Sequence, residues 1–362
     1  MSPPLPPAPL PPSAQLTPAR EIGPVQELRW DRGYLAVQSL GAMIRDLALT
    51  LPDGRLHRPL ARAPWLDRPD HGQSGLMAGL SGEWPCVPFG AAGEPVAAQW
   101  QGAAGIWEDP LPHGTAAHLH WDLGLASTPP TPSGPPTPMI TAEIALPAPH
   151  PVARLRRTLR PRGCGLEIGL EILPRRDGDL PIGLHPVLAL PERRGAARIE
   201  IDGLSHVWTH PADPAADPSP VRPARRAAGL AALPLRDGHR GDGLDLSRLP
   251  LAGASETRLL AVAKGGAVRL HDHHAGLCTE LRYDAALFPA LMIWVSNRGR
   301  AHAPWNGQHL ALGLEPVRAC FDLGVAASRA ATPLRQEGVA TTYPFRAGHW
   351  LATRYHIGIR AL

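Results

Sequence analysis

The chain has 362 residues, enough for one large all-β domain or two medium ones, with a core that needs no covalent staples. Its 44% hydrophobic and 19% charged content suits a soluble globular protein, and 44 Pro with 37 Gly exclude long helices through most of it. A net charge of +4 does not make it a nucleic-acid binder: Lys264 is the single lysine among 36 basic residues, and the arginines are interleaved with acids instead of forming one stripe.

Residues 1–24 are dominated by Pro, Ala and Leu and read as a disordered or polyproline tail, with residues 25–362 as a single domain. Short strands are predicted at Tyr34-Leu35-Ala36-Val37 and from Ile44 to Leu49, before the turn Pro52-Asp53-Gly54. Leu166 to Ile172 alternates apolar with polar or small residues, the pattern of a half-buried strand. Arg198 to Asp202 also alternates and ends at Gly203, whereas Leu291-Met292-Ile293-Trp294-Val295 is apolar throughout and suits a strand buried on both faces. Near the end, Tyr355, Ile357 and Ile359 alternate with Arg354, His356 and Arg360. The stretches Ser127 to Met139 and Pro211 to Arg226 are loops by composition. Many short strands divided by turn signals predict an all-β antiparallel sandwich.

Cys86, Cys164, Cys278 and Cys320 contain no Cys-x-x-Cys spacing, so free thiols in a reducing compartment are expected rather than a disulfide framework or zinc ribbon. With no signal-peptide pattern and no apolar run of about 18 residues, the expectation is a cytoplasmic protein with no membrane association. His271-Asp272-His273-His274 tempts a metal reading, yet it runs into Ala275-Gly276 as a hairpin turn would and has no third ligand at a set spacing.

Two strand-like stretches carry the chemistry. In the first, Leu184, Leu188 and Leu190 share one face and His185 takes the other; in the second, Leu310, Leu312 and Leu314 share one face and Glu315 takes the other. A His and a Glu on the polar face of a sheet form an acid–base pair if their strands are neighbours.

In their order, several motifs resemble the aldose 1-epimerase, or galactose mutarotase-like, family. They are Leu40-Gly41-Ala42, Trp84 to Gly90, Pro112-His113-Gly114 with Trp121, Gly183-Leu184-His185-Pro186, Gly313-Leu314-Glu315-Pro316, and Ala347 to Trp350 with Tyr355. The resemblance implies a large antiparallel β-sandwich, often called a supersandwich, that binds a small-molecule sugar on one concave face as a monomer or homodimer. It implies an isomerase that interconverts sugar anomers without metal or cofactor, Glu315 being the base, His185 the acid and His113 a group beside the ring oxygen. Trp84, Trp294 or Trp305 would lie under the sugar, and Asn297, Arg300 and Asn306 would bind its hydroxyls, though Trp294 also reads as core. Phe89-Gly90 departs from the Asn-Arg pair of the true mutarotases, leaving a sugar-binding protein without catalysis as the alternative. Asp242 and Asp245 stand for the family's sugar-binding aspartate; both also read as solvated loop carboxylates.

Overall fold

The computed structural model describes residues 17–362 except 69–70, 129–135, 213–218, 239–240 and 242. Alternation is the organising rule. Two large antiparallel sheets dominate the fold. In the nine-stranded sheet the order is Arg248–Leu249, Ala197–Ile201, Ala267–Asp272, Leu277–Arg282, Leu351–Ala361, Gly165–Pro174, Val152–Pro161, Pro138–Ala145 and Asp122–Ser127. The eight-stranded sheet runs Arg226–Ala227, Leu204–Thr209, Ser255–Ala263, Ala290–Asn297, Leu310–Arg318, Ile182–Leu184 and Pro85–Cys86, and Val187–Ala189 also pairs with Leu310–Arg318. Four shorter strands near the start, from Val25–Trp30 to Leu56–His57, form a separate sheet.

The inward leucines, isoleucines and valines of both large sheets merge into one core, which includes Leu155, Leu159, Leu166, Ile168, Leu259, Ile293, Leu312, Leu314 and Ile357. Such packing of two sheets over a shared apolar layer makes a β-sandwich. The eight-stranded sheet buries its opposite face as well. There a second cluster gathers Trp65, Leu76, Leu80, Trp84, Phe89, Met292, Trp294, Trp305 and Val317. The strand Ala290–Asn297 is accordingly buried at every residue, as its unbroken apolar run predicts: Leu291, Ile293 and Val295 enter the first core, Met292 and Trp294 the second.

The Pro-rich segment lies outside the described residues through 16. Over 17–24 the chain is tied to the body: Ala19 N–H donates to His118 O at 3.2 Å, Leu40 N–H to Ile22 O at 3.0 Å and Ser39 N–H to Pro24 O at 2.8 Å. The His271–His274 stretch ends one strand and enters a tight turn, where Asp272 accepts the N–H groups of His274 and Ala275, both at 2.9 Å. His271 instead faces Glu200 at 2.9 Å across the sheet. No helix among the described residues is long and apolar enough to cross a membrane.

Candidate functional site

The strand Leu310–Arg318 pairs with two short segments, Gly183 lying opposite Val317 and Val187 opposite Gly313. Between them the ladder is interrupted at His185-Pro186, since Pro cannot donate, and the flanking registers set position 185 across from position 315. The side chains meet there, His185 Nε2 lying 3.5 Å from Glu315 Oε1. The face they share is no open polar surface, contrary to the sequence reading: His185 is 5% and Glu315 2% exposed, because the tryptophan-rich cluster covers the sheet around them.

His185 stacks on Trp84, with ring centroids 4.0 Å apart and planes at 17°. Glu315 owes its position to Gly313, whose place on the same strand face leaves the carboxylate room to fold back. A Cβ built on Gly313 would stand 2.4 Å from Glu315 Oε1 and 3.1 Å from the Trp294 Cβ. Gly313→Ala is therefore expected to force the carboxylate away from His185 while leaving the strand pairing intact. The check is a crystal structure of the variant, and an unmoved Glu315 would contradict the account.

His113 reaches the same cavity from a loop, at φ +59°, a backbone conformation that non-glycine residues seldom hold. Asp109 clamps that loop, accepting Leu111 N–H at 3.0 Å, Thr115 N–H at 2.9 Å and the Thr115 hydroxyl at 2.8 Å, and pairing with His150 Nε2 at 3.0 Å. The His113 ring lies 4.8 Å from His185 edge-on and 5.2 Å from Phe89. The Nδ1 atoms of both histidines are buried and have no hydrogen-bond partner among the described residues. Buried polar atoms are rarely left in that state, and both lie beneath the cavity surface.

The cavity encloses about 250 Å³ and is lined by Leu76, Met77, Leu80, Trp84, Pro112, His113, His118, His185, Arg258, Met292, Trp294, Arg300, Trp305, Glu315 and Asp322. It thus brings together seven of the residues singled out from sequence: Trp84, His113, His185, Glu315, Trp294, Arg300 and Trp305. Phe89 stands behind the histidine rings, 6.3 Å from His185, and supports them. The Arg300 guanidinium lies over both Trp294 and Trp305, at 5.0 and 4.7 Å from their ring centroids. Trp294 is both core and cavity wall, its indole N–H donating to Glu256 at 2.8 Å.

Other expectations do not converge here. Asn297 lies outside the cavity, accepting Leu251 N–H at 3.1 Å and donating to Gly253 O at 2.6 Å, so its amide ties down a loop. Asn306 is exposed at a turn and donates to Pro304 O at 3.3 Å. Asp245 is exposed and caps its own turn through Ser247 at 2.8 Å. Asp242 is outside the described residues.

Sequence reasoning missed the polar wall beside Glu315. Arg258 donates to Asp322 Oδ2 at 2.8 Å and to Glu94 Oε2 at 3.0 Å. His210 Nε2 lies 2.6 Å from Asp322 Oδ1, while its Nδ1 accepts Ala212 N–H at 3.1 Å. That bond places the imidazole proton on Nε2, pointing at Asp322. Glu94, His210 and Asp322 are close enough together to suit a cation. The Arg258 guanidinium already supplies one, and the His210 N–H leaves no lone pair toward the cluster, so the set does not fit a metal.

Electrostatics follow from burial. Desolvation raises the Glu315 carboxyl well above its ordinary range, and the Asp322 charge adds to this. Burial pushes His185 well below the usual imidazole range with help from His113, and lowers His113 to about 4. Asp322 goes the other way: against the penalty of burial, Arg258 and His210 hold it well below the usual carboxylate range. Burial thus favours the neutral forms of both members of the pair, beside the Asp322–Arg258 ion pair.

Six imidazoles, those of His57, His113, His118, His185, His309 and His356, are held below the ordinary value of 6.5 chiefly by burial. Below pH 6.5 the unfolded chain takes up protons that these folded sites refuse, so their stabilising contribution, full above 6.5, is lost as pH falls toward about 4. Among the carboxyl groups of the described residues, the burial-raised Glu315 acts in the opposite sense, from its ordinary 4.5 upward. The thermal midpoint is expected to drop steadily from pH 6.5 to 4; a flat midpoint across that window would refute this balance.

With the geometry in place, comparison becomes informative. No known family profile matches the sequence, and no curated protein matches it. Solved structures do. Slr1438 from Synechocystis sp. PCC 6803 superposes with a TM-score of 0.61 at 14% identity, over 97% of this chain and 99% of that one. This is the galactose mutarotase-like fold. A galactose mutarotase-like protein from Lactobacillus casei ATCC 334 gives a TM-score of 0.59 at 14% identity over 93% and 100% of the two chains. A galactose mutarotase related enzyme from Lactobacillus acidophilus gives 0.56 at 13% identity over 93% and 97%. The mutarotase-like sandwich thus accounts for nearly the whole chain, as the motif order led us to expect.

Proposed function

We propose that this chain is an aldose 1-epimerase-like isomerase that interconverts the anomers of a sugar through Glu315 and His185. The observation that carries the reading is the pairing of these two groups, 3.5 Å apart in one buried cavity on a mutarotase-like fold.

The reaction takes a proton from the hydroxyl on C1 and gives one to the ring oxygen. The C1–O5 bond breaks, leaving an aldehyde and a C5 hydroxyl, and rotation about C1–C2 followed by the reverse steps yields the other anomer. One base and one acid close this balance. The pair holds one transferable proton. Protonated Glu315 with neutral His185 and ionised Glu315 with cationic His185 differ only in where that proton sits. Arg258, which favours the ionised form of Glu315, helps the pair reach the second arrangement, with Glu315 as base and His185 as acid. Proton uptake at one group and release at the other leave the charge of the site unchanged, which keeps the step inexpensive in a dry pocket. His113 lines the same cavity, and the side of its ring turned to that space suits a position beside the ring oxygen. Trp294 and Trp305 line the cavity with their indoles and suit the C–H side of the sugar, while Trp84 backs His185.

Polarimetry of freshly dissolved glucose and galactose tests the reading. Catalysis accelerates the drift to the equilibrium rotation; drift at the buffer rate for every aldose tried, alongside measurable sugar binding, would instead make the chain a sugar-binding protein.

A further inference from the structure

The cavity lining is of two kinds. Its polar groups include His113, His185, Glu315, Arg258 and Asp322, and besides the tryptophans its apolar lining holds an aliphatic stretch, Leu76, Met77 and Leu80. Aromatic rings explain themselves as platforms for a pyranose face; an aliphatic wall does not.

The wall is built, not incidental. Gly75 opens it at φ +57°, packed so tightly on His118 that a Cβ there would stand 2.3 Å from the ring Nδ1. Leu76 N–H donates to that same Nδ1 at 3.1 Å, Met77 O accepts the Trp65 indole N–H at 2.9 Å, and Leu80 O accepts Ala63 N–H at 3.0 Å. Gly79 O accepts the Gln38 amide at 3.0 Å. Four hydrogen bonds from three parts of the chain fix the backbone that carries these three apolar side chains.

Part of the polar lining is already committed: both Asp322 oxygens are engaged, by His210 and Arg258, and Arg258 is shared with Glu94.

We propose that the substrate is a 6-deoxyhexose, an aldose whose C5 bears a methyl in place of a hydroxymethyl group. The step from wall to position rests on the isomerase reading above. There His113 lies against the ring oxygen, and His118, whose Nε2 is 2.8 Å from Pro112 O, joins the His113 loop directly to Leu76. The substituent on C5, the carbon next to the ring oxygen, then points at Leu76, Met77 and Leu80. A methyl gains by being buried there, whereas a hydroxyl loses its water and finds no acceptor.

The test compares deoxy and parent sugars of one configuration: D-fucose against D-galactose, D-quinovose against D-glucose and L-rhamnose against L-mannose. Mutarotation by the full chain is followed polarimetrically, and binding by the fluorescence of the cavity tryptophans. In at least one pair kcat/KM is expected to favour the deoxy sugar by about fivefold or more, and Leu80→Ser should bring that ratio toward one. If the parent sugar is turned over equally or better in every pair, this proposal falls and the isomerase reading stands. If a deoxy sugar binds at least about fivefold more tightly than its parent but no sugar is turned over, the isomerase reading falls and the ligand preference stands. If nothing is bound or turned over, both fall. The sugar comparison on the unaltered protein decides the matter even if the Leu80 variant does not fold.

Discussion

Glu315→Gln is expected to reduce catalysed mutarotation by about a thousandfold, within the range of 10²–10⁴ that a positioned acid–base group contributes. The amide is isosteric and cannot accept the C1 proton. It should not unfold the chain. Burial favours the neutral carboxyl, so a neutral amide of the same shape brings no desolvation penalty in its place. Equal thermal midpoints with lost polarimetric activity would separate chemistry from structure. Retention of more than about a tenth of the wild-type rate would exclude Glu315 as the base. The companion His185→Gln should fall by a similar factor, and the double variant little further, because the two groups share one proton and act as a unit.

The second large effect lies behind the cavity. Glu83 and Arg157 are both 0% exposed and form an ion pair inside the sandwich. Arg157 comes from a strand of the nine-stranded sheet; Glu83 directly precedes Trp84, the indole on which His185 stacks. Arg157 also donates to Tyr355 Oη at 3.0 Å and to Ala42 O at 2.6 Å, and the Tyr355 hydroxyl donates to Glu83. Glu83→Ala leaves a guanidinium buried with no counter-charge, which costs about 3–5 kcal/mol. That is a third or more of the stability of a typical protein. Denaturant unfolding measures it, and a loss below about 1 kcal/mol would show that the pair is dispensable. Replacing both charges together, as in Glu83→Leu with Arg157→Met, is expected to recover much of the loss, since the penalty comes from the stranded charge rather than from the missing attraction.

The course of the chain through the site explains what could be read in advance. His185 and Glu315 were legible because each is a lone ionisable residue on the strand face opposite a row of leucines. Their adjacency was not, since it depends on which strands become neighbours and on a ladder interrupted at Pro186. Arg258 carried the same signal unnoticed: it shares a face with Glu256 and Leu260 on the strand Ser255–Ala263, turned toward the second cluster. Asp322 carried none. It sits past the end of its strand, beside Phe321 at φ +52°, and only the folded loop brings it to Arg258. Asn297 and Asp245 misled because short polar side chains near turns most often serve the turn itself. Burial of that face was equally hidden, for Trp65, Trp84 and Trp305, which cover it, come from loops whose docking no periodicity reports.

The broken ladder beneath the acid–base pair has a kinetic corollary. His185 and Glu315 meet only after segments distant in the chain have zipped onto one strand from both sides. Such non-local closure is slow, because chain entropy is surrendered before any contact repays it. Recovery of the proposed turnover during refolding should therefore lag behind the return of far-ultraviolet ellipticity, a clock for the last strands to dock.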